Sequence, residues 1–233
     1  MKTKIIATIG PSSLEREIIK QLAENGMNMI RINTSYGNED QYKTILKNLA
    51  ESDPLSKVQK MLDIKNEKIL SFCETNKMDF IAVSFAESRE QILNIKERFQ
   101  DCKIISKIES VKGAENYDEI IEVSDGVMIA RGDLSRAVTI EKVPVLQKKF
   151  TKIALLKKKF VIAATEMLLS MTENPYPTNA EASDVANAVF DKVDAVMLSE
   201  ETAIGRYPVD SVIMMRKIIV ESEKFLEEEK NLL

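Results

Sequence analysis

A parallel (β/α)8 barrel of the TIM type is the fold class this sequence predicts. Three observations carry it. Eight short stretches rich in β-branched and aliphatic residues read as buried strands, and each is followed by a helical or helix-like stretch. They recur at a spacing of about 20–35 residues, the length of one βα unit. Eight such units fit within 233 residues, enough chain for one large α/β domain or two small ones. A doubly wound open sheet is the runner-up. Gly-x-Gly-x-x-Gly and Walker patterns are absent, which counts against a nucleotide-binding sheet.

The opening KTKIIATIG reads as a strand ending at Gly10, with Ser12 or Ser13 positioned to cap the first helix. Residues 14–25 have helical periodicity, with Leu14, Ile18, Ile19 and Leu22 on one face, and Gly26 fits a helix stop. The second strand is 27–35. Its face Met29, Arg31, Asn33, Ser35 turns polar toward the carboxyl end. Residues 39–52 read as a second helix. The stretch 52–68 is the least regular; within it Val58–Ile64 reads as a strand carrying Asp63 near its end, and Ile69–Thr75 as a short helix. DFIAVSF, 79–85, is a buried strand. An amphipathic helix follows over 88–100 with Ile92, Ile95 and Phe99 inward.

The next two strands are KIISKIES, 103–110, and DGVMIA, 125–130, joined by a linker. Then come a helix over 141–159 with Pro144 in its first turn, and the strand FVIAATEML with Thr165 and Glu166 at its end. A proline-punctuated loop leads to a helix over 180–191, capped by Thr178 or Asn179 with Glu181 in its first turn. The last strand is 194–205, and a long helix runs from about 208 to 229.

Composition narrows the chemistry. Hydrophobic residues at 44% and charged residues at 30% are those of a globular protein. A net charge of −4 suggests no nucleic-acid or acidic-membrane partner. No apolar run is long enough to span a membrane, and no signal peptide is visible. The two cysteines, Cys73 and Cys102, lack metal-type spacing and read as free thiols in a reducing, cytoplasmic compartment. Histidine is absent, which excludes Ser-His-Asp and Cys-His catalysis and histidine-ligated zinc. Carboxylate, lysine, arginine, hydroxyl and metal remain.

Strand alternation places them. In KIISKIES, Ile104, Ser106 and Ile108 fall on one side and Ile105, Lys107 and Glu109 on the other. The neighbouring apolar run leads into Arg131-Gly132-Asp133, with a helix after it, which puts a carboxylate at a strand's carboxyl end. If the two strands are neighbours, Glu109 and Asp133 converge with Lys107 beside them. Two carboxylates and an ammonium at one opening suggest a divalent metal and an acid–base group. The alternative is a solvated salt bridge at a strand end.

Several long motifs, in order, resemble the pyruvate kinase family: TKIIATIGPSS, GMNMIRINTSYG, ISKIES, DGVMIARGDL, EKVP, ATEMLLSMTENPYPTNAEASDVANAVFD and DAVMLSEETAIGRYP. The resemblance runs from Lys2 to about Glu223 except near 50–68. It implies the catalytic barrel of that family, read as one domain over 1–233, with the family's nucleotide lid excised near 64–69 and its carboxyl-terminal regulatory domain lacking.

By the same resemblance, Glu109 and Asp133 look like ligands of magnesium or manganese. Lys107 looks like the lysine that stabilises the transferring phosphoryl group and the enolate. Arg31 resembles the phosphate-binding arginine. Asn33, Ser35 and Asp63 match positions that hold a potassium ion. Thr165 resembles the threonine near the pyruvate methyl group, and Gly132 and Asp133 match the backbone that receives the substrate carboxylate at a helix amino end.

Departures are visible. Tyr36 stands where the family has histidine, Ile64 where it has a potassium-binding threonine, and Ser135 where it has glycine. Glu166 replaces glutamine and Glu200 replaces glycine, two added carboxylates expected to make the mouth more acidic.

Three functions are then open. One is a magnesium-dependent enzyme acting on phosphoenolpyruvate, pyruvate or oxaloacetate through an enolate. Its chemistry would be proton transfer, decarboxylation or aldol-type bond formation. The second is a lidless pyruvate kinase. The third is a catalytically silent binding or scaffold protein. Self-association is expected through helix 180–191, which presents Ala182, Val185, Ala186 and Val189.

Overall fold

The structure, a computed structural model, describes residues 1–50 and 57–232, with side chains through 229. Eight parallel strands pair in chain order and close into a barrel: β1 (Lys4–Thr8), β2 (Met27–Asn33), β3 (Gln59–Ile64), β4 (Phe80–Val83), β5 (Lys103–Ile108), β6 (Gly126–Ala130), β7 (Phe160–Ala164) and β8 (Ala195–Leu198). The predicted fold class is the observed one. The strands are buried nearly throughout, as expected where a barrel interior lies on one face and helices on the other.

The chain forms two compact units. One comprises Met1–Ile30, Asp40–Val58 and Thr165–Leu233. In it β1 runs beside β8 with Lys4 opposite Ala195 and Ala7 opposite Leu198. Helix α1 (Arg16–Glu24) buries Ile19 and Leu22. Gly26, at φ 120°, supplies the positive backbone angle that turns the chain into β2. Helix α2 spans Glu39–Ala50; the last two residues of the predicted helix, and the opening of the stretch 52–68, lie outside the described residues.

The predicted serine cap is corrected. The residue before α1 is Glu15, without a side-chain cap, and Ser13 Oγ instead accepts the Gly10 N–H at 3.2 Å, folding the segment between β1 and α1.

The other unit comprises Arg31–Glu39 and Gln59–Ala164. It holds β3 to β7 side by side. Asp63 lies opposite Ala82, Val83 opposite Ser106, and Lys107 opposite Met128. Helices α3 (Leu70–Thr75) and α4 (Arg89–Arg98) follow β3 and β4. Ser88 caps α4, and Ile92 and Ile95 are its buried residues. Phe99 is half-buried at the helix end under the Arg98 guanidinium, so it is not the third core residue that periodicity suggested. The expected linker between β5 and β6 is two short helices, α5 (Val111–Glu115) and α6 (Tyr117–Val123), the first capped by Ser110. Ser106, on the outer face of β5, meets Ser124 beyond α6 at 2.6 Å, which satisfies both buried hydroxyls. Helix α7 is Arg131–Ala137, and α8 is Val143–Leu156 with Pro144 in its first turn.

One contact set shows how tightly this sheet is filled. Phe80 and Phe160 lie with ring centroids 5.8 Å apart. A Cβ on Gly126 would come within 2.5 Å of the Phe160 carbonyl oxygen and 2.7 Å of Ile105 Cδ1. Glycine is therefore required there by close approach, not by backbone angle.

Several predicted strands run past the observed ends, the seventh and eighth furthest. The seventh ends at Ala164, because Thr165 and Glu166 adopt φ of 69° and 54°. The eighth ends at Leu198, and residues 200–203 form a helical turn, α10 (Glu200–Ala203). Glu201 sits fully buried there, accepting the N–H of Ser199 at 2.7 Å and of Leu168 at 3.0 Å. Those bonds fold the chain back in place of strand pairing. Helix α9 (Asn179–Phe190) begins at Thr178 with a complete capping box to Glu181. It packs on α11 (Pro208–Leu232), where Val185, Ala188 and Val189 are buried.

Candidate active site

Four charged side chains are buried together at the carboxyl ends of β2, β3 and β5, all in the second unit. Arg31 is 6% exposed, Asp63 1%, Lys107 6% and Glu109 2%. Groups of this kind are almost never so deeply buried unless paired. Here two cations meet two carboxylates, so the cluster is neutral in sum.

The pairing is specific. Arg31 Nε donates to Asp63 Oδ2 at 2.8 Å, and Arg31 Nη2 lies 2.7 Å from the same oxygen. Lys107 Nζ lies 3.0 Å from Asp63 Oδ1 and 2.9 Å from Glu109 Oε1. Its third donor goes to Ser84 Oγ at 2.9 Å, and Ser84 Oγ itself donates to Asp63 Oδ1 at 3.3 Å. An ammonium has three protons. All three are used, on three different strand ends.

Each position follows from the chain. Alternation on β5 puts Lys107 on the face opposite Ser106, and Glu109 next along that face. Asp63 is the penultimate residue of β3. Ser84 follows β4 directly. Phe85 then takes φ 49°, an uncommon angle for a residue with a side chain. That turn aims the Phe85 N–H at Glu109 Oε2, 2.8 Å away. Ser84 and the Phe85 amide are the members of this cluster that sequence reasoning missed. The signal was a hydroxyl at the carboxyl end of an otherwise apolar strand.

The electrostatics differ between the two acids. Burial pushes the Asp63 carboxyl up, but the charges and hydrogen bonds of Lys107 and Arg31 together hold it below the usual carboxylate range. Burial pushes Glu109 up and prevails, because Lys107 and the Phe85 N–H only partly offset it and Asp63 adds repulsion.

Gly132 and Asp133 stand in the first turn of α7, immediately after β6. The register sets Ile108 of β5 opposite Ile129 of β6, so Glu109 and the α7 turn both lie just past neighbouring strand ends. The Asp133 carboxylate is half-exposed and pairs with Arg136 at 3.2 Å. Among the described residues no group of three or more His, Cys, Asp or Glu is gathered for a metal. The two carboxylates nonetheless suit magnesium, a hard ion that takes one or two carboxylates and fills its remaining positions with water and substrate oxygens. Glu109 in particular is a buried acid that shares its cationic partner, Lys107, with Asp63.

Potassium fits poorly. Asn33 Oδ1 accepts the Ser35 N–H at 3.1 Å, and Ser35 is exposed beyond the end of β2. Ile64 offers a hydrocarbon side chain, 2% exposed. The Asp63 carbonyl already accepts Thr34 N at 3.0 Å and Thr34 Oγ1 at 2.8 Å.

The remaining predicted residues are described by their own surroundings. Thr165, half-buried at φ 69°, belongs to the first unit. Glu166 and Glu200, the added carboxylates, are solvent-exposed and belong to the same unit. Ser135 Oγ donates to the Gly132 carbonyl at 2.8 Å, a bond within α7. Tyr36 is 76% exposed.

The family model described as pyruvate kinase, barrel domain, matches residues 1–69 and 54–212. A pyruvate kinase of Thermotoga maritima is 46% identical over 154 residues, covering 64% of this chain and 33% of that protein. One of Bacillus licheniformis is 50% identical over 158 residues, covering 66% and 27%. One of Dictyostelium discoideum is 49% identical over 167 residues, covering 70% and 32%. The chain thus spans about a third of the length of the curated relatives it matches.

Proposed function

Because the chain belongs to the pyruvate kinase barrel family, we propose that it acts on phosphoenolpyruvate or pyruvate, with magnesium, by stabilising an enolate. The observation that carries the reading is the buried Lys107 ammonium, held between Asp63 and Glu109. A charge kept this far from water acts on developing negative charge far more strongly than a solvated one.

The residues divide the work. Arg31 supplies a fixed cation for the phosphate or carboxylate of the substrate, its plane set by Asp63. Lys107 offers its ammonium to the enolate oxygen by exchanging one of its three present hydrogen bonds for the substrate. Glu109 and Asp133 are the residues that would hold magnesium, which supplies Lewis-acid stabilisation of negative charge when bound. Gly132 and Asp133 would receive the substrate carboxylate at the start of α7. Thr165 is proposed to serve proton movement at the methyl carbon.

Phosphoryl transfer to a nucleotide is proposed to be weak. β3 and the helical turn Glu67–Ile69 are joined by Lys65 and Asn66 alone, so no lid is inserted there to position a nucleotide and exclude water. The test is solvent exchange of the pyruvate methyl protons, followed by NMR in deuterium oxide with magnesium. Exchange above the buffer rate is expected, and Lys107→Met should slow it by at least about 100-fold. Exchange at the buffer rate would remove the reading. The second reading, a lidless kinase, is favoured by the names of the relatives and predicts rapid ATP formation from phosphoenolpyruvate and ADP.

A further inference from the structure

We infer that Asp63 is a positioning residue for Arg31 and Lys107, completed by Ser84, and not a ligand of a monovalent cation, so that this site works without potassium. The inference deepens the functional reading above and rests on it only for the identity of the substrate.

The lone pairs of Asp63 are all engaged. A carboxylate offers about four acceptor positions. At Asp63, Oδ2 takes Arg31 Nε at 2.8 Å and Arg31 Nη2 at 2.7 Å. Oδ1 takes Lys107 Nζ at 3.0 Å and Ser84 Oγ at 3.3 Å. Nothing is left over for a metal. Of the main-chain oxygens nearby, that of Asp63 accepts both Thr34 N and Oγ1, and that of Ile64 accepts the Ser84 N–H at 3.1 Å.

Charge argues the same way. Asp63 already faces two full positive charges within hydrogen-bonding distance. A potassium ion on the same carboxylate would be a third cation in a site that burial screens poorly. It could enter only by displacing Arg31 or Lys107, the two groups that the substrate needs. Ile64 removes a hydroxyl that could have helped to hold it.

Ser84 has a distinct role. It is the neutral partner of Lys107, accepting one ammonium proton while its own proton goes to Asp63. It fixes the direction of the lysine without adding charge. Its bond is the one that Lys107 can give up to a substrate oxygen at least electrostatic loss.

Two measurements test this. Thallium-205 NMR, with Tl⁺ standing in for K⁺, is run on the whole chain in tetramethylammonium buffer. A linear, unsaturated response is expected. A saturable signal that disappears in Asp63→Asn would overturn the inference. The second measurement follows the Lys107 ammonium by ¹⁵N NMR. In the wild type its protons should exchange slowly enough with water to be seen. Ser84→Ala should speed that exchange by about tenfold or more, and Ser84→Thr should restore it. Equal exchange in wild type and Ser84→Ala would remove Ser84 from the role. Neither readout depends on turnover, so both decide the inference even where the proposed function fails.

Discussion

Lys107 and Asp63 lie 44 positions apart in sequence and 3.0 Å apart in space, on two strands separated by a third. Asp63 is 1% exposed, and its carboxylate is the shared counter-ion of the two cations that a substrate anion would meet. Stability and the proposed chemistry therefore meet at one carboxylate.

Removing that charge should be costly. Asp63→Asn removes the carboxylate that faces both buried cations, Arg31 and Lys107, and breaking a buried pair in this way costs about 3–5 kcal/mol. Urea unfolding of the variant should show the loss as a lower midpoint. A variant as stable as the wild type would show that the cluster is solvated.

The pH dependence follows from the direction of the shift. The Asp63 carboxyl is held below its unfolded value, which is about 3.9. Its contribution is fully present above that value and lost as pH falls through the lower folded value. The stability difference between wild type and Asp63→Asn should therefore be flat from neutral pH down to about 4 and shrink below it. A difference that shrinks between pH 8 and 5 would be inconsistent with this assignment.

Gly126→Ala should destabilise the protein by about 1–3 kcal/mol, the usual cost of forcing an added methyl into a packed interior. The new Cβ would meet Phe160 O at 2.5 Å, an atom of a neighbouring strand's backbone that cannot move without disturbing the ladder. Calorimetry reads the change as a lower melting temperature.

The two thiols should be sluggish. Burial pushes Cys73 and Cys102 each to about 12; Arg98 only partly offsets it at Cys73, while Cys73, Asp79 and Asp125 add to it at Cys102. At pH 8 the thiolate fraction is then smaller than that of a free cysteine by about a thousandfold. Alkylation by iodoacetamide should be slow in buffer and fast in urea. Rapid labelling of the folded protein would contradict this.

Much of this protein was legible in local pattern. Period-two alternation placed Lys107 and Glu109 on one face of β5, and the structure pairs them at 2.9 Å. Eight βα units announced the barrel, and Thr178 with Glu181 announced the start of α9. These features depend on residues within a few positions of one another, so the sequence by itself determined them. Element ends were less secure. The strands near Thr165 and Ser199 stop early because left-handed backbone angles and the buried Glu201 carboxylate redirect the chain. Only the tertiary structure decided that Asp63 is saturated, that Ser84 receives the third ammonium proton and that Phe85 turns its N–H toward Glu109. Each of those bonds joins neighbouring or next-nearest strand ends. Whether they form depends on strand register and on the stagger that closes a barrel, which no single strand's sequence encodes.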